Sequence, residues 1–156
     1  MRALSLGMIL SLLSVPGFPC DCVEYASPEE AIENTDIVAA GRTIEAYLLA
    51  GEQRDAFIAD HNGFAHYESI AKSTFEIEVP IKGAKMGEKI VIYYEAYGSY
   101  CAWAPLVGVP DILFVNDYDG VNIVSYCAVN WAHDRETRDA YISVMEEMSG
   151  ADLSTY

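Results

Sequence analysis

Ile37-Val38-Ala39-Ala40-Gly41-Arg42-Thr43-Ile44-Glu45-Ala46-Tyr47 decides the fold. It comes after a turn-like Thr35-Asp36 and is rich in β-branched residues, so it reads as one long strand. Gly41 interrupts it. A glycine inside a strand marks a bulge or a bend of the kind a barrel needs.

Working outward, Phe75-Glu76-Ile77-Glu78-Val79-Pro80-Ile81 alternates apolar and polar residues, the pattern of a half-buried strand. Gly83 to Gly87 is a turn, and Glu88-Lys89-Ile90-Val91-Ile92-Tyr93-Tyr94-Glu95 returns as its partner. Ile112-Leu113-Phe114-Val115 is a core strand. Asp119-Gly120 is a strong hairpin signal, so Val121 to Cys127 is the returning strand. The stretch from about Leu49 to Lys72 lacks a clean period and reads as a long loop with room for one short helix or hairpin. Tyr97 to Val109 is irregular.

Helices flank this set. Ser27-Pro28-Glu29-Glu30 combines a cap, a proline at the first helical position and a capping-box glutamate, with the helix ending near Asn34. Asp134 caps a final helix in which Tyr141, Val144, Met145 and Met148 share helical spacing. No repeat, low-complexity tract or linker divides the chain. The expected fold is therefore mainly β: a five-stranded OB-type barrel with flanking short helices, a β-sandwich being the alternative.

The amino-terminal end speaks to compartment. Arg2 is the only charge before Asp21, and Ala3 to Val15 is almost wholly apolar, the layout of a signal peptide too short for a membrane span. Val15 and Gly17 place cleavage after residue 17, so 1–17 is leader and 18–156 a single domain with a real core, starting Phe18-Pro19-Cys20. Lipidation at Cys20 is the weaker alternative. The expected location is secreted, periplasmic or extracellular.

The 156-residue chain carries 24 acidic against 9 basic side chains, a formal net charge of −15. That surface repels phosphate backbones, so nucleic acid is not an expected partner. Nor is an integral membrane protein expected, since no second apolar stretch could span a bilayer.

The four cysteines, Cys20, Cys22, Cys101 and Cys127, form an even set in an exported chain, so two disulfides are expected. A Cys20–Cys22 bridge would strain a tiny loop. Two pairings remain, and both tie the leading pair to the two distant cysteines. Each such bridge contributes about 4 kcal/mol in the chain-entropy view. The terminus then becomes a rigid, exposed edge.

Order and spacing together resemble a known family. Cys20-Asp21-Cys22, a short helix, Asn34-Thr35-Asp36-Ile37-Val38-Ala39-Ala40-Gly41, Phe75-Glu76-Ile77 leading to Lys82-Gly83, Cys101, Asp111-Ile112-Leu113-Phe114-Val115 and Tyr126-Cys127 resemble the netrin-like module. More narrowly, they resemble the amino-terminal domain of tissue inhibitors of metalloproteinases. The resemblance spans Cys20 to about Met148. It implies an OB-type barrel with Cys20–Cys101 and Cys22–Cys127 bridges. It also implies an inhibitory edge of Cys20, Asp21 and Cys22. There the free amine and carbonyl of Cys20 chelate a protease zinc while the Asp21 side chain enters the specificity pocket. Disulfides holding that chelate in place lower the ordering cost of binding. Phe18-Pro19, if retained, would block the Cys20 amine, and Asp21 would bring a charge into the pocket at a desolvation cost. The family's further bridge and cysteine-rich second domain have no counterpart here.

Rival sites read more simply. Asp60-His61-Asn62-Gly63 with His66 has the groups of a metal or acid–base cluster, but the two histidines miss the four-residue helical pitch, and a polar loop is the plainer reading. His133-Asp134 reads as part of a helix cap. Cys20 and Cys22 as thiolates would suit copper or zinc only if reduced. Tyr93, Tyr94, Tyr97, Tyr100 and Trp103 read as packing around a disulfide rather than a binding face. Glu76, Glu78, Glu88 and Glu95 read as solvated strand faces. With no nucleophile–base pair, no enzyme and no cofactor or permanently bound metal are expected. The expected function is that of a secreted, disulfide-stapled protein-binding domain, most sharply an inhibitor of a zinc metalloprotease. The alternative is a structural or envelope-associated interaction domain without a protease target.

Overall fold

A computed structural model describes residues 25, 27–65, 67, 69–96, 105–124 and 135–156. Five strands, β1 (Ile37–Leu48), β2 (Ile70–Lys82), β3 (Lys89–Glu95), β4 (Pro110–Tyr118) and β5 (Val121–Val124), close into a barrel in the order β1-β2-β3-β5-β4. The closed ring is an OB-type barrel with short flanking helices, not a two-sheet sandwich. Neighbouring strands run antiparallel except β3 and β5, which meet in parallel at Tyr93 and Ile123.

Closure depends on β1, which pairs with β4 over 37–42 and with β2 over 38–48. Its ladder with β2 shifts register at Val38/Ala39, Ala40/Gly41 and Thr43/Glu45, and each shift adds bend and twist. At Gly41 the two strands approach so closely that a Cβ would run into the Glu76 carbonyl oxygen and sit 2.9 Å from the Phe75 ring. Only glycine fits there. The β4–β5 turn uses Asp119 (φ 54°) and Gly120 (φ 82°), the left-handed pair a two-residue hairpin requires. The Asp117 carboxylate accepts the Gly120 N–H at 2.8 Å.

Alternation along the strands sorts side chains between two cores. Ala39, Phe75, Ile77, Ile90, Ile92, Leu113, Val115 and Val124 fill the barrel. Val38, Ala40, Ile112 and Phe114 point outward, beneath α1 (Pro28–Glu33) and α3 (Arg135–Ser149). Strands covered on both faces read as unbroken apolar runs, as in Ile37–Ala40 and Ile112–Val115. From α3, Tyr141 meets Phe114 edge-on at 5.8 Å, and Met145 is fully buried. Each large side chain so buried contributes roughly 2 kcal/mol.

The helix at Ser27 forms as its sequence requires. The Ser27 hydroxyl accepts the Glu30 N–H at 3.3 Å and Pro28 opens the helix. Four expectations need correction. The 49–72 stretch does hold one short helix, α2 (Glu52–Asp60), but it is not mainly loop, for a 3-10 turn (Asn62–Phe64) follows and β2 already begins at Ile70. The apolar residues of α2 run consecutively from Ala56 to Ala59 and only Phe57 is buried, so the helix carried no apolar stripe to read. β4 is longer than its apolar centre. Met148, grouped with the buried face of α3, is 51% exposed. Residues 125–127, expected to continue β5, and the cap Asp134 lie outside the described residues. No helix among the described residues is long and apolar enough to cross a membrane.

Candidate functional site

The expected edge, Cys20, Asp21 and Cys22, and its disulfide partners Cys101 and Cys127, lie outside the described residues, as do Phe18-Pro19. The strands set the scaffold from which those segments depart. β3 and β5 run in the same direction, so both finish at one end of the barrel. The segment carrying Cys101 leaves from Glu95 and the one carrying Cys127 leaves from Val124. Two segments remote in sequence thus depart side by side. β1, antiparallel to β2 as β3 is, also finishes at that end.

The chain reaches the barrel at Tyr25, which packs on the outer cluster of Val38, Ala40, Ile112 and Phe114. From α1 to the start of β1 the backbone is firmly held. The Lys82 ammonium donates to the carbonyls of Ile32 at 3.0 Å and Glu33 at 2.7 Å, satisfying groups that a helix end leaves open. The Thr35 hydroxyl donates to the Ala31 carbonyl at 2.8 Å. Asp36 and β4 exchange hydrogen bonds: its N–H reaches the Asn116 amide oxygen at 3.2 Å, and its carboxylate accepts the Asp117 N–H at 2.9 Å.

Beside β1, the returning segment 105–109 is pinned where the Gly108 N–H donates to the Thr43 carbonyl at 2.8 Å. It presents Leu106, Val107 and Val109 at 68%, 57% and 47% exposure, with Ile44 next to Thr43 at 36%. Several apolar side chains are thus exposed along this segment and the neighbouring strand. The sequence contains those residues, but an irregular stretch gives no period from which their exposure can be read.

Next along β1, Arg42 and Glu78 form a two-point ion pair, with Nη2 to Oε2 at 3.1 Å, and the Tyr156 hydroxyl donates to the same carboxylate at 2.7 Å. The Arg42 hydrogen bond, joined by that of Tyr156, holds the Glu78 carboxyl below its ordinary value, while Glu78 raises Arg42. Burial, then the hydrogen bond to Glu78, pushes the Tyr156 phenol up. Glu78 is thus a partnered clamp on the end of the chain, not a merely solvated face. Glu76 and Glu95 are half-buried, and Glu88 is exposed, accepting the Lys85 N–H at 2.9 Å.

Asp60 and His61 end α2, and the His61 ring lies 4.7 Å from Phe57. Phe57 stacks on Tyr93 at 4.4 Å, so Tyr93 is a packing residue. Among the described residues no group of three or more His, Cys, Asp or Glu side chains could hold a metal. His66, His133, Tyr97, Tyr100 and Trp103 lie outside the described residues. No protein-family model and no curated protein matches this chain.

Proposed function

We propose that this chain is an exported, disulfide-stapled barrel that binds another protein through its amino-terminal Cys-x-Cys edge, as a netrin-like module would. In its sharpest form it inhibits a zinc metalloprotease. The observation that carries the reading is the parallel register of β3 and β5, which sends the Cys101 and Cys127 segments out at the same end of the barrel. Bridges Cys20–Cys101 and Cys22–Cys127 would then clamp one short edge at two neighbouring points. The exposed Leu106, Val107, Val109 and Ile44 beside the returning segment supply apolar area for a partner to cover.

The chemistry asks for two things. Cys20 must be the mature terminus, because only a free α-amine and its own carbonyl form the chelate. The target pocket must also welcome the Asp21 carboxylate, since an unpaired charge buried there costs more than it gains. A protease with a basic specificity pocket fits that demand. Mass spectrometry of the exported protein, followed by assay of the form beginning at Cys20 against zinc proteases, tests the reading. Inhibition lost on acetylating the terminus supports the wedge. Absence of inhibition across the panel leaves a structural or envelope-associated binding domain, and Phe18 at the terminus removes chelation.

A further inference from the structure

A cleft runs between the end of α2 and the β4–β5 turn. One lobe, about 270 Å³, is lined by Gly63, Phe64, Tyr67, Tyr118 and Ile123. The adjoining lobe, about 280 Å³, shares Gly63, Phe64 and Tyr118 and adds Asp60, His61, Asn62 and Asp119. Each falls just under the range of drug-sized pockets, so the fit is to a group the size of one side chain.

Its construction is specific. Phe57, stacked on Tyr93, meets Phe64 edge-on at 5.0 Å, and Phe64 meets Tyr67 edge-on at 5.3 Å. This aromatic wall is fixed by Ile70 and Val121 beneath it. Tyr118 lines both lobes and is 66% exposed. Asp60 and Asp119 line the second lobe, and no lysine or arginine is among the described lining residues of either lobe. Arg54, the sole lysine or arginine in the 49–69 connection, is turned to the Tyr67 carbonyl at 3.0 Å and to Asp55 at 3.8 Å.

We infer that this cleft binds an organic cation, an alkylammonium or guanidinium head seated between Tyr118 and the Phe64–Tyr67 wall and facing Asp60 and Asp119. Aromatic faces attract such cations, and more strongly where water is partly excluded. A chain of net charge −15 concentrates cations near its surface and turns anions away. Among the described residues no group of three His, Cys, Asp or Glu side chains is gathered for a metal. The source is either a free amine or a basic side chain on another protein. The lining residues alone carry this assignment, which does not rest on the Cys20 edge.

Titration of the isotope-labelled exported protein by NMR tests the assignment, with agmatine as the free cation and a capped Gly-Arg-Gly peptide as the side-chain source. A neutral oligosaccharide and matched sodium chloride serve as controls. Saturable shifts confined to residues 60–67 and 117–123 are expected, weakened about tenfold by Asp119→Asn and by Tyr118→Ala. Asparagine tolerates the left-handed backbone at 119, so the turn survives. Saturation by agmatine shows that a free cation suffices; saturation by the peptide alone assigns the site to a partner's basic side chain. No saturable shift with either cation overturns the inference. So do shifts that persist in the Asp60→Asn/Asp119→Asn double variant, or tighter binding of the oligosaccharide.

Discussion

Gly41 and Glu76 lie on adjacent strands so close together that the Glu76 carbonyl occupies the space a side chain at position 41 would need. The contact falls at one of the register shifts that bend β1 around the barrel. Gly41→Ala should therefore destabilise the fold by about 3 kcal/mol, as overpacking against rigid backbone does. Gly63→Ala, where a Cβ meets nothing within 4 Å, should stay within about 0.5 kcal/mol. Urea unfolding of the two variants makes the comparison.

The two methionines of α3 separate its faces. Met145 is fully buried against the outer wall of the barrel and Met148 is half exposed. Met145→Ala should cost about 3 kcal/mol, and Met148→Ala less than about 0.5 kcal/mol. Equal effects in chemical denaturation would contradict the helix orientation.

At the amino-terminal helix, the Ser27 cap predicts a loss of about 1 kcal/mol for Ser27→Ala and only a few tenths for Ser27→Gly. Thermal unfolding of both variants distinguishes a true cap from general surface sensitivity.

Glu78 makes a pH prediction. Its folded-state pKa is depressed from 4.5, first by the Arg42 hydrogen bond and then by Tyr156. The unfolded state therefore takes up the proton first, and the stability that Glu78 contributes is present above 4.5 and lost as pH falls through the lower folded value. The gap in denaturation midpoint between wild type and Glu78→Gln should be constant from neutrality to about pH 5 and then narrow. A gap that widens on acidification would reverse the sign. Solvent screening of this partly exposed pair keeps the gap small, and added salt should shrink it further.

Much of the barrel was legible because its signals were local. Asp119-Gly120 demanded a left-handed turn, Gly41 marked the bend, and doubly covered strands left unbroken apolar runs at Ile37–Ala40 and Ile112–Val115. What stayed hidden depended on tertiary partners. α2 holds its place by stacking Phe57 on Tyr93 rather than by an apolar stripe. The start of β2 places Ser73 and Thr74 where they are buried, so no alternation announced it. Glu78 resembled any outward strand glutamate until Arg42 and Tyr156 met it. The cleft brings together Asp60, His61, Phe64 and Tyr67 with Tyr118, Asp119 and Ile123, which only the folded chain makes neighbours.

Anchoring of the leading cysteines at the end where β3 and β5 finish is the claim on which the binding edge rests. Non-reducing peptide mapping of the exported protein tests it most directly. One cross-linked peptide joining Cys20 to Cys101 and another joining Cys22 to Cys127 are the predicted products. A bond between Cys101 and Cys127, leaving Cys20 and Cys22 unattached to either, would contradict it.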